Sequence, residues 1–591
     1  MLHVGLKRAI GKRKGGDFKI NIEVFFMSSS KHGSARFSDY QGADYSLACN
    51  GFNAVFGRGS IDSDLWHSHK LSKHFLSVAP TRSGKGAALI IPNLLIYQGS
   101  AIVIDPKGEN AYVTAERRRR YGQKTHILDP WGEVNRRYGS KSGFMEEIAT
   151  FNPLSILDPS SEHFADDIAY ISDAVIINQG KDPHWDNSAR ELVAGLIAFA
   201  VIKYKEAASL PLVRLLLTKP PEEIAGIAKE AQEFGYSNVA ARKLGRFVGE
   251  SKELGSIIST ALTQTAFLDS ETLGKNMEES SFSFEDVLTG KATIYLVLPV
   301  DKLQTYGRWL RLMISIGIRT IARNTQQLRL PVLFFLDEFG TIGKLSAVSQ
   351  AVGLMAGLQM CIWIFVQDFI QLKRDYPDEW ETFIANAAMI SCFNVMDQFT
   401  AEYLSRMLGN ETVEKISQAT AEKRKGGFFG GGDPNYMAMA DQEFSRPLMA
   451  PDEIRRMRED LGLLISNRNP SFFQKTYYFK EPHLYKIARP DPSFPNPAEK
   501  YKEIHKRVVA RLTDLEKKIK EVYEEEPPVF VCDGLKKINA LAEDWKYESA
   551  ETEIALLGKK VLAHQGAKIA AGAVKDLAGK GFSALKGRFF K

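Results

Sequence analysis

Residues 74–97, HFLSVAPTRSGKGAALIIPNLLIY, decide the fold, because they join an apolar strand to an apolar helix through a short loop. The pattern predicts a strand over His74–Val78 and a helix over Gly84–Tyr97. The intervening loop is similar to a phosphate-binding loop, in which backbone N–H groups and a helix N-terminus face phosphate oxygens. Lys85 is expected to reach the β and γ phosphates of a nucleotide. The predicted nucleotide-binding residues are Pro80, Thr81, Arg82, Ser83, Gly84, Lys85 and Gly86.

The loop differs at two positions from the general pattern G-x-x-x-x-G-K-[ST]. Ala79 stands where the first glycine is expected, and Gly86 replaces the hydroxyl residue that binds Mg²⁺. Taken alone, the loop is therefore also compatible with a glycine-rich turn between a strand and a helix that binds no nucleotide.

Two carboxylates follow an unbroken apolar run, LPVLFFL, at residues 330–336. Such a run is typical of a strand buried on both faces of a parallel sheet, and ligands bind at the carboxyl edge of such sheets. We therefore expect Asp337 to hold Mg²⁺ through a water. We expect Glu338 to orient and deprotonate the water that attacks the γ-phosphate. The alternative is an Asp-Glu pair that caps the next helix.

A third apolar run, Met360–Val366, ends in Gln367, whose amide is expected to sense the γ-phosphate or the attacking water. The alternative for Gln367 is a helix cap. The repeated alternation of apolar runs with helical patterns predicts an α/β fold with a mostly parallel central sheet. Further strands are predicted at Ala101–Ile104, Lys124–Leu128, Thr293–Leu298 and Met389–Val395.

Short motifs occur in a fixed order along the chain: HGSAR at 32–36, PTRSGKG at 80–86, DPKGE at 105–109, FNPL at 151–154, HW at 184–185 with AR at 189–190, LDEF at 336–339, Gln367, RPL at 446–448 and DEI at 452–454. This series resembles the TraG-like coupling proteins, ring-forming ATPases of conjugation and type IV secretion that are related to the RecA-like and FtsK/HerA motors. The likeness covers about residues 30–490. In that branch the loop has the pattern P-T-x-x-G-K-G, so Gly86 is expected of the family.

The resemblance implies a RecA-like P-loop motor that hydrolyses ATP with Mg²⁺ at the subunit interfaces of a homo-hexameric ring. It also implies an inserted all-α domain, which fits the persistent apolar spacing of three and four residues in that region. The predicted divisions are a basic N-terminal segment (1–30), a nucleotide-binding domain in two parts (31–160 and 286–490), the inserted all-α domain (161–285) and a helical C-terminal extension (491–591).

A ring ATPase normally receives an arginine from the neighbouring subunit, which neutralises charge in the transition state. The candidates are Arg308 and Arg311, on the helical stretch after the predicted strand Thr293–Leu298, and Arg374, shortly after Gln367. The alternative for each is a solvated arginine on a helix or loop. Because Gly86 carries no hydroxyl, Asp337, nucleotide oxygens and water are expected to complete the six oxygen ligands that Mg²⁺ prefers.

The 591-residue chain has a mildly basic net charge of +6, which is compatible with nucleic acid or an anionic membrane but requires neither. No apolar stretch approaches the ~18–20 residues that span a bilayer. Four scattered cysteines suggest neither a disulfide framework nor a zinc cluster, and they fit a reducing cytoplasm. The expected location is cytoplasmic, at the inner face of the membrane, through a membrane-anchoring partner.

The last third of the chain contains four further patterns. Lys425–Asp433 is rich in glycine and predicts a mobile loop, whereas Thr476–Phe479 predicts a strand. Apolar residues between 504 and 522 recur at helical spacing, and this amphipathic helix is expected to pack on the motor or on a partner. Lys559–Lys591 is basic and amphipathic, which fits a membrane surface, a partner's groove or a frayed terminal helix.

Three functions follow from these patterns. The first is an ATP-dependent coupling protein, a DNA-stimulated translocase that recruits and moves DNA, relaxase nucleoprotein or secreted proteins into a type IV secretion or conjugation channel. The second is a substrate-docking receptor in which nucleotide only organises the ring. The third is a HerA-like DNA-processing motor outside a secretion system.

Overall fold

The computed structural model of the protein describes residues 33–38, 42–59, 65–139, 145–177, 183–249, 253–354, 357–418, 439–494, 502–523, 527–543, 550 and 553–564. Its main sheet has 11 strands, and a separate two-stranded ribbon pairs β10 with β11. The strands are β1 (Asn53–Arg58), β2 (Trp66–Lys70), β3 (His74–Val78), β4 (Ala101–Asp105), β5 (Lys124–Leu128), β6 (Ala292–Val297), β7 (Val332–Leu336), β8 (Met360–Val366), β9 (Ala387–Cys392), β10 (Asn410–Gln418), β11 (Met439–Pro447), β12 (Leu461–Ile465) and β13 (Ser471–Gln474).

The order of strands in the main sheet is β2-β1-β13-β12-β9-β3-β8-β7-β4-β6-β5. From β9 to β5 every neighbouring pair is parallel. The strands from β2 to β12 are antiparallel to their neighbours, and β12 is antiparallel to β9. The mostly parallel α/β sheet predicted from the sequence is confirmed. Strand β8 lies between β3 and β7, so the residues that follow these three strands meet at one edge.

The central strands are mostly apolar because both faces of the sheet are covered. Every residue of β3, β7 and β8 is buried, as expected for parallel strands with helices on each side. The predicted bounds of β3, β5 and β8 agree with the structure, and those of the other four parallel strands named from the sequence, β4, β6, β7 and β9, shift by one to three residues.

Two predicted elements differ from the structure. Thr476–Phe479 is not a strand, because β13 ends at Gln474 and Tyr478 N donates to the carbonyl of Ala87 at 3.0 Å instead of joining the sheet. The predicted helix Gly84–Tyr97 consists of a π-helical turn, Gly86–Ile90, followed by an α-helix, Ile91–Ile96. Pro92 has no N–H with which to continue an α-helical pattern, and Ile91 N donates five residues back, to Gly86 O.

A helical region separates β5 from β6, where the inserted domain is predicted. Asp167 in its first helix lies 3.0 Å from Arg319 Nε, on the motor helix Leu303–Ala322, and 2.6 Å from Arg323 Nη2, directly after that helix. One cluster of buried apolar side chains extends from β3 and β4 into this region. The helices are Phe164–Val175, Pro183–Tyr204, Leu210–Leu217, Pro221–Gln232, Val239–Leu244, Leu254–Thr265 and Glu271–Asn276.

The remaining helices cover the two faces of the sheet or follow it. Those longer than four residues are Glu109–Arg120, Leu303–Ala322, Ser346–Leu354, Phe369–Asp375, Trp380–Ala385, Gln398–Leu408, Pro451–Arg455, Pro482–Ile487, Lys502–Val522 and Val529–Glu543. Residues 553–564 are also helical. Among the described residues, no helix combines the length and apolar character needed to span a bilayer.

The C-terminal helices form a core of their own. Lys502–Val522 is amphipathic as predicted, but its apolar face packs on the helices that follow it. The expectation that it packs on the motor or a partner needs this correction, because Leu515 and Ile519 share a cluster with Ile538 and Leu557. The basic segment 1–30, the loop Lys425–Asp433 and most of Lys559–Lys591 lie outside the described residues.

Candidate nucleotide site

The Pro80–Gly86 loop leaves β3 in a compact turn. Ser83 Oγ donates to the carbonyl of Pro80 at 2.6 Å, and both Arg82 and Gly84 have positive φ, +63° and +91°. A Cβ at Gly84 would lie 2.6 Å from the ring of Tyr477, so only glycine fits there. By contrast, a Cβ at Gly86 would meet no atom within 4 Å. The missing hydroxyl at Gly86 is therefore not a consequence of crowding.

Lys85, Glu338 and Gln367 meet at the carboxyl edge of the sheet. Lys85 Nζ lies 3.2 Å from Glu338 Oε1 and 3.9 Å from Asp337 Oδ1. Gln367 Nε2 donates to the second carboxylate oxygen, Glu338 Oε2, at 3.1 Å. The order β3-β8-β7 produces this contact, because the loop, Gln367 and the acids each follow one of these strands.

The backbone turns sharply at the acids. Glu338 has φ +54° and ψ +36°, which is left-handed and unfavourable for a residue with a side chain. Asp337 Oδ1 accepts the Glu338 N–H at 3.0 Å, and Thr341 Oγ1 donates to the Glu338 carbonyl at 2.6 Å. These bonds hold the turn that directs the Glu338 carboxylate toward Lys85. Strained backbone of this kind is concentrated at functional sites.

Burial determines the electrostatics of Asp337. Removal from water raises the pKa of this carboxyl above its ordinary value, and the Lys85 ammonium opposes the rise. A partly buried acid and a buried lysine beside a loop with open space at Gly86 fit a magnesium-bound phosphate group, since the cation would favour the charged form of Asp337.

The DPKGE motif forms a turn at the end of β4. Asp105 is buried, accepts the Ala111 N–H at 2.8 Å, and has its pKa raised to about 7 by burial. Gly108 has φ +68° and begins the next helix, while the Lys107 side chain is exposed. The motif is thus a turn in which Asp105 is the internal hydrogen-bond acceptor.

Sequence reasoning missed Lys475, Asn394 and Tyr477. Lys475 Nζ donates to the Ser83 carbonyl at 3.1 Å and to Asn394 Oδ1 at 2.7 Å. Burial lowers the pKa of Lys475 to about 8. Two antiparallel pairings turn β13 back to the direction of β3, so Lys475 emerges at the same edge. No local pattern in the sequence indicates these antiparallel pairings of β13.

The three candidate arginines differ in accessibility. Arg311 is buried, and its guanidinium donates to the carbonyl of Lys344 in the same chain. Arg374 has an exposed side chain that donates to the Gly340 carbonyl at 2.7 Å and pairs with Asp375. Arg308 is partly buried and approaches Gln264. Arg311 is the most buried of the three, and the trans-acting role stays a prediction for each of them.

The sheet order and the meeting of loop, lysine, acids and glutamine define the P-loop class of nucleotide-binding proteins. Within it, the chain belongs to the family described as type IV secretory system conjugative DNA transfer, whose model matches residues 41–519. The conjugal transfer protein TraG of Escherichia coli is 26% identical over 452 residues, which are 70% of this chain and 68% of that protein. The protein VirD4 of Agrobacterium fabrum is 25% identical over 491 residues, covering 80% of this chain and 70% of that protein.

Solved structures share the fold. The bacterial conjugative coupling protein TrwBdeltaN70, in a trigonal form with sulphate, superposes with a TM-score of 0.54 at 14% identity, covering 76% of this chain and 97% of that chain. TrwB in complex with a non-hydrolysable ATP analogue gives a TM-score of 0.50 at 15% identity, covering 69% and 86%. The predicted fold class and the resemblance to TraG-like coupling proteins are both confirmed. The chain is a coupling protein of conjugative DNA transfer by type IV secretion.

Proposed function

We propose that the chain hydrolyses ATP with Mg²⁺ and uses the reaction to move DNA or nucleoprotein into the secretion channel. The observation that carries this proposal is the contact of one carboxylate, Glu338, with both Lys85 and Gln367. The ATP analogue bound by TrwB, a protein of the same fold, supports nucleotide as the ligand.

Each residue of the site has a distinct role in this proposal. Lys85 neutralises the β and γ phosphates of ATP, while the backbone N–H groups of the Pro80–Gly86 loop surround them. Glu338 accepts a proton from the attacking water, and Gln367 fixes the orientation of the Glu338 carboxylate through the Nε2 bond. Lys475 holds the loop carbonyl of Ser83 and thereby the shape of the phosphate cradle.

Asp337 would hold the magnesium ion, with nucleotide oxygens and waters as the remaining ligands. When bound, the ion would neutralise negative charge that develops on the transferred phosphoryl group. Gly86 offers no side-chain oxygen, so Asp337 is the protein group placed to fix the ion's position.

The relatives support the wider role. TraG of Escherichia coli is named as a conjugal transfer protein, and both TraG and VirD4 of Agrobacterium fabrum align over more than two thirds of this chain. We infer a homo-hexamer at the inner face of the membrane that receives a DNA–relaxase complex or a secreted protein and presents it to channel subunits.

ATP turnover of the purified, assembled protein tests the enzymatic proposal. We expect turnover to rise with single- or double-stranded DNA. The variants Glu338→Gln and Lys85→Ala are each expected to lower kcat by about 10²- to 10⁴-fold, because they remove the general base and the phosphate ligand. Matched controls are Glu271→Gln and Lys275→Ala, which make the same chemical changes in an exposed ion pair of the inserted helices.

Two results would contradict the proposal. Turnover that stays absent with DNA and channel partners, despite ATP binding, would remove the hydrolytic step. Substrate transfer in cells that persists in Glu338→Gln would favour a receptor whose ring is only organised by nucleotide.

A further inference from the structure

A cavity of about 560 Å³ lies between the inserted helices and the motor. One wall comes from the end of helix Phe164–Val175 and the residues after it, and the other from helix Leu303–Ala322 and the start of helix Ser346–Leu354. This volume lies within the range of pockets that hold small organic ligands. The cavity is separate from the nucleotide site, and no residue named there as a phosphate or magnesium ligand lines it.

Arg311 lines this cavity with a positive charge that no acid of the described chain neutralises. Its side chain is 6% exposed, yet none of the described acids lies within ion-pair distance of it. One guanidinium nitrogen donates to the Lys344 carbonyl, whereas Arg311 Nε has no hydrogen-bond partner among the described residues. A buried charge without a counter-charge is costly, and burial lowers the pKa of Arg311 to about 10.

The other charges that face the cavity are paired. Arg190 Nε lies 2.8 Å from Asp173, and Lys344 Nζ lies 3.0 Å from Glu379, which stands outside the lining. After these ion pairs are counted, one positive charge in the lining stays unneutralised, that of Arg311. A singly charged anion matches this balance better than a phosphate, which carries more charge.

The rest of the lining is divided between hydrogen-bonding and apolar groups. Ser315, Ser346 and Gln350 provide hydroxyl and amide groups on the motor side. Ile176 and Ile177 provide an apolar surface on the side of the inserted helices. A ligand with a charged head and a short hydrocarbon body satisfies both parts at once.

We propose that this cavity binds a small organic carboxylate, whose head pairs with Arg311 and whose hydrocarbon body packs on Ile176 and Ile177. A carboxylate supplies one negative charge and accepts N–H bonds from a guanidinium, which matches an arginine that no described acid neutralises.

The same arginine touches the segment that carries Glu338. Lys344, whose carbonyl accepts from Arg311, lies six residues after Glu338, and Leu345 and Ser346 line the cavity beside it. An anion bound to Arg311 would therefore act on a backbone segment continuous with the turn of the proposed catalytic acid. Binding of the anion needs no ATP, so it is measured without nucleotide. Its result therefore tests this proposal separately from the proposal of ATP hydrolysis.

Hexanoate is a suitable probe, titrated calorimetrically into the full chain at constant ionic strength against chloride. 1-Hexanol has the same body without the charge, and hexyl phosphate has a more highly charged head. We expect hexanoate to bind more tightly than 1-hexanol or hexyl phosphate. We expect Arg311→Met to weaken the affinity for hexanoate at least tenfold. Gln232→Met, on an inserted helix that does not line the cavity, serves as the matched control and should leave binding unchanged.

A second variant provides an independent test if Arg311→Met does not fold. Ala347→Glu leaves Arg311 in place and introduces a carboxylate into the lining, so it should prevent hexanoate binding in a chain that still unfolds cooperatively. Equal affinities for hexanoate and 1-hexanol would overturn the proposal, as would binding of hexyl phosphate alone, unchanged hexanoate affinity in Arg311→Met, or absence of hexanoate binding in the unmodified chain.

Discussion

Gly86 is the position at which the loop lacks the hydroxyl that commonly binds magnesium, and it is also open. Because a Cβ there meets no atom within 4 Å, Gly86→Ser should be accommodated. We expect the magnesium concentration for half-maximal ATP turnover to fall about threefold to tenfold, since a protein oxygen joins Asp337 as a ligand. The comparison variant Gly84→Ser should lose nucleotide binding, because its Cβ would strike Tyr477. An unchanged magnesium requirement in Gly86→Ser would count against the proposed position of the ion.

Lys475 gives the fold a specific dependence on pH. Its pKa falls from about 10.5 in an unfolded chain to about 8 in the folded chain. Between these values the unfolded chain binds one more proton, so this residue makes the free energy of unfolding increase with pH, by up to about 3 kcal/mol.

The variant Lys475→Met should abolish that increase between pH 8 and pH 10.5 in chemical denaturation curves. Nucleotide affinity of the unmodified chain should decline as pH rises through 8, because the neutral amine holds the Ser83 carbonyl less strongly. Lys486→Met, at an exposed lysine that does not contribute to the Lys475 shift, is the control; equal pH profiles for all three chains would refute the assignment.

Asp337 illustrates a conflict between stability and function. Its raised pKa means that the folded chain binds the proton more tightly than the unfolded chain, so ionisation at neutral pH costs stability. Asp337→Asn should therefore raise the free energy of unfolding while reducing magnesium-dependent turnover at least tenfold. Thermal unfolding at pH 7 and magnesium titration measure the two effects. A variant that is both less stable and fully active would contradict both assignments.

At the scale of elements, the segment 338–345 is held from two sides. Arg374 donates to the Gly340 carbonyl and Arg311 to the Lys344 carbonyl, while Leu345 N donates to the Tyr376 hydroxyl at 2.8 Å. These bonds fix the chain immediately after Glu338. Two of the three arginines singled out in the sequence thus contact this segment within their own chain.

The variant Arg374→Met separates a role within the chain from a role between chains. If Arg374 positions its own segment 338–345, kcat should fall about fivefold to tenfold with little change in KM. Mixing Arg374→Met subunits with Lys85→Ala subunits should then restore no activity beyond that of the separate variants. Recovery in the mixture would show instead that Arg374 completes a neighbour's site, as expected for a trans-acting arginine.

The parallel strands were predictable and the antiparallel ones were not, for a physical reason. A strand buried on both faces, such as Met360–Val366, is an unbroken apolar run that stands out in the sequence. Strands β12 and β13 are short, and β13 is only partly buried, so their pattern is weak. The contact of Glu338 with Lys85 followed from strand ends meeting at one edge, whereas the contact of Lys475 with Ser83 depended on pairings that local pattern does not encode.

At the scale of the whole molecule, two separate cores predict two unfolding transitions. The C-terminal helices bury Leu515 among residues 508–561, apart from the clusters around the sheet. Leu515→Ala should destabilise the C-terminal core by about 2–5 kcal/mol and leave nucleotide affinity unchanged. Leu196→Ala in the inserted helices should lower the other transition. Calorimetry measures both, and a single transition shifted equally by either change would contradict independent cores.

The hydrogen bond from Lys475 to the Ser83 carbonyl joins positions 392 residues apart. During synthesis at about 5–20 residues per second, about 20–80 s separate the emergence of the two ends of this bond. Throughout that interval the ribosome-bound chain carries a phosphate loop without the lysine that holds it. The nucleotide site is thus complete only after synthesis has passed Lys475.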